Sequence, residues 1–269
     1  QVEMLADEVL VSVIMPARDG ECFIVEAVES VINQTYTHWE LLIVDDSSSD
    51  GTLDIAQKYA KDNDRVKVLS MPDCSGVAKA RNYGISESRG RYIAFLDIDD
   101  IWLPTKLEKQ INFMKLNKYV LCFSAYEKID KQSCSVGMVG VPDKVTYRGL
   151  LKTNVIGCLT GVYDVMYFGR VNMPLNTKRE DYAFWLMLLK RVEFAYGINK
   201  PLAQYRVHTA SATYKKRKII GQTWVLFREN EKLSLLHSLY YFTHYGVRGV
   251  LRAKLPKIAK ALGVLKAVE

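Results

Sequence analysis

The first 125 residues alternate short apolar runs with segments of helical periodicity, and this alternation restricts the fold more than any other feature. Five apolar runs predict buried strands, at 9–15, 40–46, 65–70, 91–97 and 119–130. Helical patterns predict the segments between them, at 21–34, 51–62, 75–88 and from Pro104 onward. This order predicts an α/β fold, a Rossmann-like and mostly parallel sheet flanked by helices.

The positive charge of the chain is confined to its C-terminal part. The whole chain has a net charge of +7, but residues 215–269 carry 12 Lys and Arg against 3 acids, a net of +9. The preceding residues are slightly acidic, with 25 basic and 27 acidic side chains. A nucleic-acid-binding protein usually spreads basic residues over its recognition face, so we expect no nucleic acid partner.

Cysteine usage and hydropathy indicate a protein of a reducing compartment. The five cysteines are scattered and form no C-x-x-C pair, which argues against a disulfide framework or a zinc ribbon. The N-terminal residues lack the layout of a signal peptide. No apolar run approaches the length of about 18 residues that a membrane span requires.

The stretch FLDIDDIWLP (95–104) places three carboxylates directly after a predicted strand. Asp97, Asp99 and Asp100 repel one another unless a positive partner neutralises them. An Asp-x-Asp pair at a strand end holds a divalent cation such as Mg²⁺, which keeps water and substrate phosphates as its other ligands. The alternative is that these acids cap the following turn, and for Asp100 this simpler role is sufficient.

Two more clusters fall at strand or helix ends and leave alternatives open. Asp45 and Asp46 end a strand, where a carboxylate binds a ribose hydroxyl or a base N–H, or caps the next helix. Lys79 and Arg81 lie on a predicted helix and either contact a phosphate or base or are solvated.

The C-terminal half offers two further candidates. Glu180-Asp181 begins a predicted helix at 180–191, where an acid serves as a general base or complements the helix dipole. His208 follows a predicted strand at 201–208 and either ligates a metal or is an ordinary polar residue. The segment 154–164 has the apolar pattern of a strand interrupted by glycine.

Taken in order, these motifs resemble the family 2 glycosyltransferases, inverting enzymes with the GT-A fold that use nucleotide-sugar donors. The resemblance covers roughly residues 9–210. It rests on VSVIMPARDG, SVINQTY, ELLIVDDSSSDGT, SGVAKARNYGI, GRYIAFLDIDDIW, RED and YRVH.

The resemblance implies a role for each matching residue on the donor side. Pro16 corresponds to the first nucleotide contact, and Asp46, with Asp45 beside it, to the acid that binds uracil. Arg81 with Lys79 matches the basic segment near the base and the diphosphate.

The metal and the catalytic base are implied in the same way. Asp99 is the direct ligand of Mn²⁺ or Mg²⁺, and Asp97 lies nearer the ribose or assists at the metal. His208 resembles a histidine that approaches the metal or the diphosphate in some members. Asp181 matches the catalytic base.

The implied reaction is transfer of a single sugar from a nucleotide sugar, expected to be a UDP-sugar, to a glycan or lipid-linked glycan acceptor in bacterial surface polysaccharide synthesis. The absence of a Gln-x-x-Arg-Trp motif argues against a processive synthase. The alternatives are a phosphohydrolase or receiver domain, whose D-x-D-x-T motif requires Thr where this chain has Ile101, and a non-catalytic nucleotide-sugar-binding or membrane-scaffold protein.

The predicted organisation is a GT-A catalytic domain over 1–214 and a helical extension over 215–269. The catalytic domain divides into a nucleotide-binding half at about 9–125 and an acceptor half at about 126–214. In the extension, YGVRGVLRAKLPKIAKALGVLK (245–266) forms a basic amphipathic helix that Pro256 is expected to kink. Such a helix suits an anionic membrane surface, which predicts a cytoplasmic protein that is peripheral on the inner face of the plasma membrane. A helical cap on the catalytic domain and a homodimer contact are the alternatives.

Overall fold

The structure, a computed structural model, describes residues 9–207, 212–263 and 266–268. Its strands, in chain order, are β1 (Val11–Ala17), β2 (Trp39–Asp45), β3 (Val66–Ser70), β4 (Tyr92–Phe95), β5 (Ile101–Trp102), β6 (Leu121–Ile129), β7 (Ser135–Val139), β8 (Lys144–Val145), β9 (Val162–Asp164) and β10 (Ala195–Arg206).

Helices separate these strands and form the C-terminal part of the chain. They are α1 (Ile24–Ile32), α2 (Thr52–Asp62), α3 (Val77–Glu87), α4 (Lys106–Asn117), α5 (Tyr147–Lys152), α6 (Val165–Phe168), α7 (Glu180–Leu189), α8 (Ala212–Val225), α9 (Leu235–Lys254) and α10 (Pro256–Ala261). A short 3-10 helix covers Cys158–Thr160, and π-helical geometry covers Leu226–Asn230.

The chain forms two compact units. The first unit contains the described residues up to Val120 together with Gly161–Asn172. The second unit contains Leu121–Thr160 and the described residues from Met173 onward. The chain therefore returns once to the first unit, through the segment that holds β9 and α6.

The sheet of the first unit has the order β3-β2-β1-β4-β9. The first four strands are parallel neighbours, and β9 pairs with β4 in the antiparallel direction. Both β1 and β2 are buried along their whole length, as the continuous apolar runs predicted. The mostly parallel sheet with crossover helices is confirmed for this unit.

Two features fix the first unit around this sheet. Gly84 lets α3 approach β1 closely, since a Cβ at that position would lie 2.6 Å from Cγ2 of Ile14. Glu40 is buried in β2, where its carboxylate accepts hydrogen bonds from Ser12, Lys67 and Arg89. Burial raises the pKa of Glu40, but these hydrogen bonds outweigh the burial, so the pKa lies below its ordinary value.

In the second unit, β10 pairs with β6 in parallel and with β8 in the antiparallel direction, while β7 forms a hairpin with β6. The strand predicted at 201–208 begins earlier, because β10 already starts at Ala195 and continues through two register shifts around Pro201. The strand-like segment 154–164 contains a 3-10 helix, and only Val162–Asp164 is extended.

The helix of the C-terminal extension is interrupted just before Pro256, where the sequence predicted a kink. The α9 helix ends at Lys254 and α10 begins at Pro256, because proline cannot donate a backbone hydrogen bond inside a helix. Within the described part of the chain, no helix combines the length and the apolarity needed to cross a membrane.

Large apolar side chains point outward along one face of α9. We call this face the outer stripe, formed by Leu236, Leu239, Tyr240, Val247 and Val250. Their spacing of three, four and seven residues keeps them on one side of the helix. Leu255, Ile258 and Leu262, which lie between α9 and α10, on α10 and in the turn after it, are also exposed. Leu265, an apolar residue of the segment predicted as the amphipathic helix, lies outside the described residues.

Candidate active site

A cavity of about 290 Å³ opens in the first unit, at the edge of the sheet where the parallel strands end. Residues from the ends of β1, β2 and β4 and from the start of α3 meet there, which is where ligands bind in parallel α/β sheets. The lining residues are Pro16, Ala17, Arg18, Asp46, Gly76, Val77, Ala80, Asp97, Ile98 and Asp99.

Asp46 shapes this cavity through the loop that precedes α3. Its carboxylate oxygens accept hydrogen bonds from the backbone N–H groups of Ser75 and Gly76, at 2.7 and 2.8 Å. Gly76 has φ of +91°, a conformation that glycine adopts without steric cost. Each carboxylate oxygen has a second lone pair, so Asp46 can still accept a hydrogen bond from a ligand N–H.

Asp45 precedes Asp46 but is not among the residues that line the cavity. It is buried at the end of β2, and one carboxylate oxygen accepts a hydrogen bond from the backbone of Ser48 at 3.2 Å. The other oxygen, Oδ1, has no hydrogen-bond partner among the described residues. Asp45 therefore supports the turn after β2 rather than the cavity wall.

Arg81 acts on the cavity through Asp97. The guanidinium of Arg81 contacts the Asp97 carboxylate at 2.6 Å, and the Arg81 side chain is only 4% exposed. Such a short, charge-assisted contact fixes the orientation of the carboxylate. Lys79, by contrast, is exposed on α3 and does not line the cavity.

The two acids of the Asp-x-Asp motif therefore have different surroundings. Asp97 and Asp99 both line the cavity, but Asp97 is held by the Arg81 cation. Asp100 is buried in the turn after them, where its backbone N–H donates to the Asp97 carbonyl at 3.0 Å.

The cavity offers few ligands for a divalent cation. The described residues contain no cluster of three or more His, Cys, Asp or Glu side chains placed to hold a metal. Mg²⁺ and similar ions are commonly held by one or two carboxylates, with water and substrate phosphates completing the shell. The carboxylates of Asp97 and Asp99 fit such a site. His208 lies outside the described residues.

Asp181 lies in the second unit, in the first turn of α7, and is partly exposed. Arg179, two residues before Asp181, fixes the start of this helix. Its guanidinium donates hydrogen bonds to Thr223 of α8 and Tyr245 of α9. Burial opposes the charge of Arg179, yet Tyr245 and Asp181 more than offset the burial, so the pKa of Arg179 lies above its ordinary value.

Sequence reasoning missed three residues that build these regions. Arg18 brings a cation to the cavity wall, Gly76 supplies a backbone N–H to Asp46, and Arg179 holds the start of α7. Gly76 lies in the motif SGVAKARNYGI and Arg179 in the motif RED, so the sequence already marked both positions as belonging to the site. Arg18 lies in the VSVIMPARDG motif, and the carboxylate of its neighbour Asp19 accepts a hydrogen bond from the backbone N–H of Ser49.

Comparison with known proteins agrees with this architecture. Two solved structures each match 94% of this chain. S. aureus TarS 1–349 in complex with UDP-GlcNAc is matched over 79% of its own chain, with a TM-score of 0.66 and 20% identity. The mannosyltransferase PcManGT from Pyrobaculum calidifontis in complex with GDP-Man and Mn²⁺ is matched over 78% of its own chain, with a TM-score of 0.67 and 14% identity. The protein has the GT-A fold of glycosyltransferases.

The sequence comparisons define the family. The model of glycosyl transferase family 2 matches residues 12–139. TuaG of Bacillus subtilis, a glycosyltransferase named for teichuronic acid biosynthesis, is 40% identical over 90% of this chain and 96% of its own length. WfgD of Escherichia coli, named a UDP-Glc:alpha-D-GlcNAc-diphosphoundecaprenol beta-1,3-glucosyltransferase, is 38% identical over 91% and 95%. The chain belongs to glycosyl transferase family 2 and is a glycosyltransferase.

Proposed function

We propose that this glycosyltransferase moves a single sugar, with inversion, from a UDP-sugar to a hydroxyl of a lipid-linked glycan in bacterial surface polysaccharide synthesis. The observation that carries the proposal is the convergence of Asp46, Asp97 and Asp99 on one cavity at the carboxyl ends of parallel strands. Two similar relatives act, by name, in teichuronic acid biosynthesis and on a diphosphoundecaprenol-linked sugar, which supports the acceptor class.

The cavity supplies contacts for the donor. Asp46 accepts a hydrogen bond from the N–H of the uracil ring, and Pro16 and Val77 form apolar walls beside the base. Arg18 offers the diphosphate a positive side chain. Asp97, fixed by Arg81, receives the ribose hydroxyls, and Asp99 with Asp97 would hold Mn²⁺ or Mg²⁺.

The chemistry requires a good leaving group and an activated acceptor. When bound, the divalent ion stabilises the charge that develops on the departing diphosphate. Asp181 acts as the general base, the carboxylate that removes the proton of the acceptor hydroxyl. Arg179 positions Asp181 by fixing the start of α7 to α8 and α9. A single displacement of this kind inverts the anomeric carbon.

A panel of nucleotide sugars tests the proposed donor. With Mn²⁺ or Mg²⁺ present, we expect one or a few UDP-sugars to bind and to be hydrolysed slowly, because water replaces the acceptor. Isothermal titration and UDP release measure the two steps. Binding of GDP-sugars alone, or of no nucleotide sugar at all, would contradict the proposed donor; binding without any turnover would favour the non-catalytic binding protein.

We further propose that the outer stripe of α9 contacts the membrane surface. Five large apolar side chains exposed on one helix face indicate an interaction site rather than a solvated surface. Arg248 and Arg252 are not on this face. Both are partly buried, and their spacing along the helix places them on the side of Ser238 and Tyr245. Apolar contact should therefore contribute more to membrane binding than attraction to anionic lipid does.

The double variant Val247→Glu/Val250→Glu tests this membrane contact. We expect the fraction bound to phospholipid vesicles to fall about tenfold, because two apolar side chains are replaced by charged ones on an already exposed face. The matched control is Leu116→Glu on α4, where the leucine is 84% exposed and belongs to the first unit. Equal vesicle binding by the wild type and the double variant would refute the membrane contact, and a change only in sedimentation would indicate the homodimer instead.

A further inference from the structure

A second cavity, of about 350 Å³, lies within the second unit and takes no part in the proposed chemistry. Its walls come from the loop and helix around β8 and α5, from Phe194, from the inner face of α9 and from the C-terminal segment. Four cationic side chains line it: Lys144, Arg248, Arg252 and Lys266.

Among the described residues, an acid pairs with only one of these four cations, Lys266. Lys266 contacts Asp143 at 2.7 Å, but the Asp143 side chain is 79% exposed and is not part of the lining. Across the ranges that the structure describes, no carboxylate lies within ion-pair distance of Lys144, Arg248 or Arg252. Cations that converge on one cavity in this way favour a bound anion.

Arg252 is a partly buried cation of this cavity. Burial lowers the pKa of Arg252, and the neighbouring charge of Arg248 lowers it further, against an opposing influence of Tyr245 and Tyr126. A partly buried guanidinium beside a like charge is unfavourable until an anion compensates it. A negative group that enters the cavity therefore stabilises the charged form of Arg252.

Neutral groups of the lining are also suited to an anion. The side chain of Thr153 is buried, since the residue is 5% exposed, and its hydroxyl has no hydrogen-bond partner among the described residues. A buried hydroxyl of this kind is normally satisfied, so an unused donor in a cationic cavity indicates a missing acceptor. The Lys144 ammonium lies 4.1 Å from the ring centroid of Phe194, which also lines the cavity.

We propose that this cavity binds the phosphate or diphosphate group of the acceptor lipid. This assignment rests on the proposed function, which supplies a lipid-linked acceptor. Arginine guanidinium groups bind phosphate oxygens through paired hydrogen bonds, and two arginines with two lysines match the charge of a diphosphate. The outer stripe of α9 lies on the opposite side of the helix that supplies both arginines. A cavity behind that helix is about one helix diameter, roughly 10–12 Å, from the lipid surface that the stripe contacts.

Titration with inorganic pyrophosphate, without divalent metal, tests the site. We expect Lys144→Gln and Arg248→Gln each to weaken pyrophosphate binding about tenfold or more, since each loses a charge-assisted hydrogen bond. Lys144 is exposed, so its variant remains informative if the arginine variant fails to fold. The matched control is Lys131→Gln, an exposed lysine in the turn between β6 and β7 that does not line the cavity. Equal affinity in the wild type, Lys144→Gln and Arg248→Gln would overturn the proposal.

A second arm identifies the source of the phosphate. Phosphatidylcholine vesicles that contain a polyprenyl diphosphate should retain the wild-type protein far better than plain vesicles, and this gain should disappear in Lys144→Gln. If free pyrophosphate binds but the lipid adds nothing, the lipid assignment is overturned and the cavity takes a soluble phosphate.

UDP binding in the presence of Mn²⁺ keeps this result separate from the donor site. Asp46→Asn should weaken UDP binding and leave pyrophosphate binding in the second cavity intact. If the wild type binds pyrophosphate but no UDP, the proposed function alone is contradicted. If the wild type binds UDP, but Lys144→Gln and Arg248→Gln leave the affinity for pyrophosphate unchanged, the proposal for the second cavity alone is contradicted.

Discussion

The variant Asp181→Asn is expected to lose sugar transfer by about 10²–10⁴-fold while it keeps its fold and its affinity for the donor. The reason is that asparagine cannot accept the proton of the acceptor hydroxyl, and general base catalysis typically contributes this factor. The donor contacts lie in the first unit, in the cavity lined by Asp46 and Asp99, so the substitution removes none of them. Initial rates of UDP release with acceptor, together with UDP titration, measure the two quantities.

Glu180→Gln is the matched control for this experiment. It also removes one acid from the first turn of α7, so it reproduces the loss of a favourable charge at a helix N-terminus. That loss amounts to about 0.3–1 kcal/mol of stability. If the acids serve only the helix dipole, the two variants should behave alike. Near-normal transfer by a folded, donor-binding Asp181→Asn protein would exclude the base role.

The second large effect is expected for Asp99→Asn. We expect transfer to fall by about 100-fold or more and the Mn²⁺ dependence of UDP binding to disappear, since the metal stabilises the leaving diphosphate by several kcal/mol. Titration of UDP with and without Mn²⁺ measures the coupling between nucleotide and metal directly, independently of turnover.

Asp97→Asn distinguishes the two acids of the motif. Because the Arg81 guanidinium contacts Asp97 at 2.6 Å and is almost fully buried, the loss of this charge lowers thermal stability as well as donor affinity. Differential scanning fluorimetry reports the stability. If Asp97→Asn and Asp99→Asn show the same melting temperature and the same loss of Mn²⁺ coupling, the separate roles assigned to the two acids are wrong.

Much of the first unit was predictable because its signal is local. Continuous apolar runs predicted the four parallel strands, although β1 lies at Val11–Ala17 rather than at 9–15. The runs mark burial, whereas hydrogen bonding to β2 and β4 decides where the strand ends. The strand predicted within 154–164 is mostly irregular, because the glycine-interrupted pattern does not distinguish a buried 3-10 turn from a strand.

The candidate site was predictable to the extent that strand ends meet at one edge of a parallel sheet. Pro16, Asp46, Asp97 and Asp99 do line one cavity. The hydrogen bonds between Asp46 and the backbone of the 75–76 turn were not predictable, because they join groups about 30 residues apart and involve no side-chain signal.

The orientation of the C-terminal helix α9 was also not predictable from the sequence. The periodicity of the sequence distinguishes an apolar face from a basic face in α9. It does not determine which of these faces packs against the rest of the second unit. The apolar stripe is exposed, whereas Arg248 and Arg252 turn inward and line a cavity. The basic residues of this helix therefore support a phosphate site more directly than they support contact with anionic lipid.

The anomeric configuration of the product tests the central claim most directly. With a UDP-α-sugar and a lipid-linked acceptor, a single displacement assisted by Asp181 predicts a new β-glycosidic bond, which the proton coupling constant of the anomeric position reports by NMR. Loss of the same product in Asp181→Asn would complete the expected result. An α-linked product would contradict the account, because retention requires a second displacement or a different mechanism at this site.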